Sequence, residues 1–212
     1  MGRVEDILAV FETMYPNAHC ELHHTNSLEL LIAVMLSAQS TDASVNRLTQ
    51  GLFNKYQRLQ DYLDVPLEEL EHDLRAIGLY KNKAANIQKT CQRLKTVYNG
   101  QVPPTQEALE SLPGVGRKTA NVVLSVWFDV PRIAVDTHVE RVSKRLKLAT
   151  WTDSPRQVEE KLMRKIPKNL WSTTHHQMIF FGRYHCMARR PKCAHCPLQG
   201  PCRYPNIFPR SR

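Results

Sequence analysis

Leu112-Pro113-Gly114-Val115-Gly116-Arg117-Lys118-Thr119-Ala120 is a Gly-x-Gly turn opening onto an apolar helix that carries a lysine in its first turn. Glycine lets the backbone turn tightly and come close to a ligand, because no Cβ stands in the way. A helix that begins here leaves its first N–H groups without intrahelical partners, beside the positive end of its dipole. Such a place binds an anion, and a phosphate group suits it. Gly114, Val115, Gly116 and Arg117 then form a phosphate-binding turn, and Lys118 brings an amine within reach of the sugar that the phosphate carries.

Outward from this turn the chain reads with helical period, and no segment alternates as a strand does. Val4, Ile7, Leu8, Phe11 and Met14 form one apolar stripe. Residues 27–37 are apolar on nearly all sides, which predicts a central, buried helix. Thr41 and Asp42 cap a third helix carrying Val45, Leu48, Leu52 and Phe53. Asp64-Val65-Pro66 opens a fourth that ends near Gly78, and residues 81–99 form a fifth stopped by Asn99-Gly100. Thr105 to Leu112 supplies the short helix before the turn; after it, Ala120, Val123, Leu124 and Trp127 make a core stripe. Asp136 precedes Val139, Val142 and Leu146, and Ser154-Pro155-Arg156-Gln157 has the form of a capping box with proline at the first helical position. A last helix covers 171–185. The fold class is all-α, with the domain seam at Pro131 and the short extended Ile133-Ala134-Val135.

The 29 Lys and Arg against 20 Asp and Glu leave a net charge of +9, spread along the chain rather than held in one tail. A folded protein with a cationic face follows, its expected partner a polyanion, with an anionic membrane surface as the competing reading. No apolar run approaches the roughly 20 residues that span a bilayer, and Met-Gly-Arg-Val-Glu-Asp lacks the apolar core of a signal peptide. A cytoplasmic location is expected, where six cysteines serve as thiols or metal ligands rather than disulfides.

Cys186, Cys193, Cys196 and Cys202 have the spacing C-x6-C-x2-C-x5-C. Four thiolates converging on one centre suit soft or borderline metals. Zinc and a [4Fe–4S] cluster both accept them; a single C-x2-C knuckle, rather than the pair usual for zinc, tilts the choice toward iron–sulfur. Arg189, Arg190 and Lys192 lie between the first two ligands. They form either a solvated loop or a basic loop, pinned by the metal, that grips phosphates. Cys20 and Cys91 stand apart as ordinary buried thiols.

Together these residues resemble the endonuclease III family, DNA glycosylases and abasic-site lyases of the helix-hairpin-helix superfamily. The resemblance rests on the hairpin Leu112–Ala120, on Ala134-Val135-Asp136-Thr137-His138, on the four-cysteine terminus, and on Leu36-Ser37-Ala38-Gln39-Ser40-Thr41-Asp42 and Gly78-Leu79-Tyr80. It implies a two-lobed all-α fold with a C-terminal iron–sulfur loop, in which residues 21–131 form a six-helix domain and residues 1–20 plus 132–212 a [4Fe–4S] domain. It implies Lys118 as the nucleophile, Asp136 as its partner, and Gln39 and Leu79 as the residues that fill the gap left by an extruded base. The partner would be damaged double-stranded DNA, bound by a monomer, with the nucleoid as the bacterial setting.

Attack on a sugar carbon needs a neutral amine, which Arg117 and the helix N-terminus favour and a nearby Asp136 opposes. Asp136 also has the position of a helix cap, a role compatible with stabilising positive charge on the sugar. His138, near the same helix start, reads as a hydrogen-bonded structural group. Removal of oxidised pyrimidines and β-elimination through a lysine Schiff base is the expected activity. The alternatives are a monofunctional adenine or thymine mismatch glycosylase, whose relatives carry a residue other than lysine in the hairpin, and a non-catalytic DNA-binding module with a structural metal.

Overall fold

A computed structural model describes residues 3–202. Eleven α-helices and short 3-10 and π turns follow one another, with no strand among the described residues. They are α1 (Arg3–Met14), α2 (Ser27–Leu36), α3 (Asp42–Lys55), α4 (Leu59–Asp64), α5 (Leu67–Leu74), α6 (Tyr80–Val97), α7 (Gln106–Glu110), α8 (Arg117–Trp127), α9 (Thr137–Arg145), α10 (Pro155–Lys165) and α11 (Trp171–Phe180). The chain divides into two compact units. Glu21–Val130 makes one, and Met1–Cys20 with Pro131–Arg212 makes the other.

In the unit Glu21–Val130, α2 is central. Every residue from Leu30 to Leu36 is buried, and α3, α6 and α8 pack around it. Burying each such leucine or isoleucine contributes about 1.5–3 kcal/mol. Polar capping sets where the helices start. Asn26 accepts from the Glu29 N–H at 2.9 Å, and Thr41 and Thr105 accept from Ser44 and Ala108. The stop after α6 uses Asn99 and Gly100, both with positive φ.

Three local expectations change. The six-residue α4 has no apolar period long enough to be read in sequence; it is set by the Asp61 carboxylate, which accepts from the Gln57 and Arg58 N–H groups. The fourth expected helix ends at Leu74 rather than near Gly78. Beyond it the Arg75 N–H bonds the His72 carbonyl at 3.3 Å and the Ile77 N–H the Leu74 carbonyl at 3.1 Å, tighter turns than an α-helix makes. Leu79, with φ 59, then starts α6 from a left-handed cap. Trp127, expected in the core stripe, is 40 % exposed at the end of α8. Its ring meets the edge of His24 at 6.2 Å.

In the other unit, α1 inserts Ile7 and Phe11 into a core built by Val139, Val142, Leu146, Val158, Leu162 and Phe181. Phe11 and Phe181 lie 5.3 Å apart, centroid to centroid. Arg3 donates to the carbonyls of Leu146 and Pro201, each at 2.6 Å, so the first helix is bonded to the last described turn. The capping box at α10 is formed: Ser154 accepts from the Gln157 N–H, whose side chain accepts from the Ser154 N–H.

Candidate active site

The hairpin turn is anchored by Leu112 and Val115, both buried, and closed by a Val115 N–H bond to the Leu112 carbonyl at 3.1 Å. Gly114 has φ 76, a conformation that costs other residues strain. A Cβ there would also stand 2.9 Å from the Asn86 side chain. Gly116, the cap of α8, has no side chain, so the first turn of α8 lacks a side-chain cap. Gly114, Gly116, Arg117 and Lys118 are all exposed or half-exposed at this end of the helix. The amine expected to act as nucleophile thus sits beside a backbone surface suited to phosphate.

Gln39 and Leu79 share an unusual feature. Both are non-glycine residues with left-handed backbone, φ 56 and φ 59, and both are exposed, Leu79 by 51 %. Gln39 lies in a turn closed by the Ser40 N–H and the Ser37 carbonyl at 3.1 Å. An exposed leucine in a strained cap points to a use outside the fold.

Asp136 caps α9 with one oxygen. Oδ1 accepts from the N–H groups of His138 and Val139, both at 2.8 Å, which fixes the carboxyl and leaves Oδ2 outside these two bonds. His138 behaves as a packed group: its ring Nδ1 lies 3.1 Å from Arg141 Nη2, and its Cβ occupies the space a side chain on Gly182 would need. Burial pushes its imidazole pKa below the ordinary value.

Two arginines that the sequence left unassigned connect α9 to the cysteine loop. Arg141 donates to the carbonyls of Gly182 at 2.7 Å and Cys186 at 3.2 Å. Buried Arg145 donates to Met187 O at 2.8 Å and Ala188 O at 3.3 Å, and its Nη1 lies 3.3 Å from Cys186 Sγ. Their spacing of four on one helix was the available signal. Cys186, Cys193, Cys196 and Cys202 line a single hollow together with Leu146, Phe181 and other residues. Burial, and after it the neighbouring thiols, pushes the Cys196 thiol above its ordinary value despite a bond from the Leu198 N–H that acts the other way. Among the described residues no group of three His, Cys, Asp or Glu is arranged to hold a metal ion. Arg189, Arg190 and Lys192 are exposed, and the loop is tied at its base by the Lys192 N–H and the His185 carbonyl at 3.1 Å.

Residues 32–168 match the model of the HhH-GPD superfamily of base excision DNA repair proteins. The chain is 60 % identical over 203 residues to endonuclease III of Bacillus subtilis (strain 168), covering 96 % of this chain and 93 % of that protein. It is 45 % identical over 199 residues to endonuclease III of Escherichia coli (strain K12), covering 94 % of each. A solved structure of a trapped endonuclease III–DNA covalent intermediate, an estranged-adenine complex, superposes with a TM-score of 0.94 at 60 % identity over 98 % of this chain and 99 % of that one. The chain therefore belongs to the HhH-GPD superfamily and, within it, to the endonuclease III family. Among the described residues no helix is long and apolar enough to cross a membrane.

Proposed function

We infer that this protein is a bifunctional DNA glycosylase and abasic-site lyase of base excision repair, acting on damaged duplex DNA. The observation that carries this is the near-full-length identity to endonuclease III, including one caught as a covalent intermediate on DNA, in a chain with an exposed lysine behind the Gly114–Gly116 turn. A lysine at that position and the 60 % relatives disfavour the monofunctional and non-catalytic alternatives.

In this reading the hairpin N–H groups and Arg117 hold a phosphate, the damaged base leaves the stack, and Gln39 and Leu79 enter the gap. Lys118 Nζ attacks C1′; the C1′–N bond to the base breaks, and the base departs with the electron pair and gains a proton. Asp136 stabilises the positive charge that builds on the sugar. Opening of the ring leaves an imine between Nζ and C1′. Loss of a C2′ proton then expels the 3′ phosphate, cutting the strand, and water releases the lysine. Oxidised pyrimidines are the proposed lesions.

The cysteine cavity fits a [4Fe–4S] cluster held by Cys186, Cys193, Cys196 and Cys202, because four thiols line one apolar hollow. Such a group would tie the ends of the loop together through four iron–thiolate bonds. Arg189, Arg190 and Lys192 would then present their charges to the DNA backbone. Borohydride added during turnover tests the mechanism: it should reduce the imine and leave a stable protein–oligonucleotide adduct. Continued lesion processing with no adduct would overturn it.

A further inference from the structure

Along one face of α6 stand Lys83, Asn86 and Thr90, three and four residues apart. Each meets a helix end or a turn. Asn86 lies under Gly114, and Thr90 donates to the Pro113 carbonyl at 2.7 Å. Lys83 Nζ donates to the Leu36 carbonyl at 2.9 Å and the Ser40 hydroxyl at 3.1 Å.

Lys83 is only 7 % exposed, which is rare for lysine. Burial pushes its pKa down, and among the described residues these side-chain bonds go to a carbonyl and a hydroxyl, not to a carboxylate. The Leu36 carbonyl belongs to the last residue of α2, at the negative end of its dipole, so the ammonium satisfies one of the carbonyls that every helix leaves open. A plain structural cap would need no more than that.

The positions of the bonds go further. Leu36 and Ser40 bracket the turn that holds Gln39, and the Lys83 N–H donates to the Leu79 carbonyl at 3.0 Å. Lys83 is thus bonded to both segments that carry an exposed, left-handed residue. Conformations of that kind cost about 1–3 kcal/mol each and persist only where the surroundings enforce them. We propose that Lys83 is a positioning residue: it clamps the Gln39 turn and the Leu79 cap into one rigid wedge that enters the gap behind an extruded base. This rests on the gap-filling role of Gln39 and Leu79 proposed above.

The test compares single-turnover incision of one lesion in a paired duplex and in an unpaired bubble, where the base is already unstacked and no wedge is needed. Lys83→Met removes the donors while keeping the length of the stem. It should slow duplex incision roughly tenfold, the worth of a charged hydrogen bond, and leave the bubble rate within about twofold. Lys83→Arg should restore much of the duplex rate. Equal slowing of both substrates, or none, would reduce Lys83 to a cap and overturn the proposal. Should Lys83→Met not fold, Ser40→Ala removes one acceptor from the turn and should slow the duplex selectively, by a smaller factor; no selectivity there is equally fatal. If Gln39→Ala and Leu79→Ala leave the duplex-to-bubble ratio unchanged, the gap-filling role itself has failed. If they lower it and Lys83→Met does not, only the clamp has.

Discussion

The Thr90 hydroxyl donates to the Pro113 carbonyl at 2.7 Å, joining the middle of α6 to the second residue of the hairpin turn. One turn earlier on the same helix, Asn86 fills the space beneath Gly114. The hairpin is therefore shaped by α6 as much as by its own glycines. Thr90→Val would leave a partly buried carbonyl without its donor and should cost about 1–3 kcal/mol in chemical denaturation. Gly114→Ala meets both a clash and a left-handed φ and should cost about as much. Both variants should weaken duplex binding, measured by anisotropy, and the loss for Gly114→Ala should be the larger.

Lys118 is exposed, so its replacement should change stability by no more than about 0.5 kcal/mol. Lys118→Gln should abolish strand cleavage and adduct formation while duplex affinity stays close to that of the parent. A variant that still nicks damaged duplex would defeat the nucleophile assignment.

Capping and chemistry can be separated at Asp136. Asparagine caps as well as aspartate, whereas alanine forfeits about 1 kcal/mol. Asp136→Asn should therefore melt near the parent temperature yet release bases slowly, and Asp136→Ala should be both slower and less stable. Full activity in Asp136→Asn would leave Asp136 as a cap alone.

The cysteine loop should hold iron and acid-labile sulfide in equal amounts and give a brown protein with broad visible absorbance. Cys196→Ser should lose much of both, and with them part of the affinity for duplex DNA. Colourless, zinc-containing protein would overturn the cluster assignment.

A pH effect on stability comes from Asp153. Bonds from Lys161 Nζ to both carboxylate oxygens at 2.7 Å, then the Thr150 N–H, hold its pKa down to about 2. A depressed carboxyl pKa stabilises the fold above the unfolded value near 3.9, and that contribution disappears as pH falls through about 2. Asp153→Asn should lower the melting temperature at neutral pH, and its gap from the parent should narrow steadily below pH about 4.

Much of this protein was readable from neighbours in the chain. The capping box at Ser154 and the threonine cap at Thr41 each depend on groups three residues apart, and the stop at Asn99-Gly100 on residue types that tolerate a left-handed backbone. The same is true of the glycine turn before Lys118 and of the cysteine spacing. By itself, then, the sequence determined the helical class, most helix starts, and which residues could do chemistry. Tertiary structure alone decided what supports them. Lys83 reaches the end of α2 across 47 residues, and Arg145 reaches Cys186 across 41. In both cases the partners include backbone carbonyls. Every residue carries such a carbonyl, so nothing in the order of side chains marks which one a distant cation will meet.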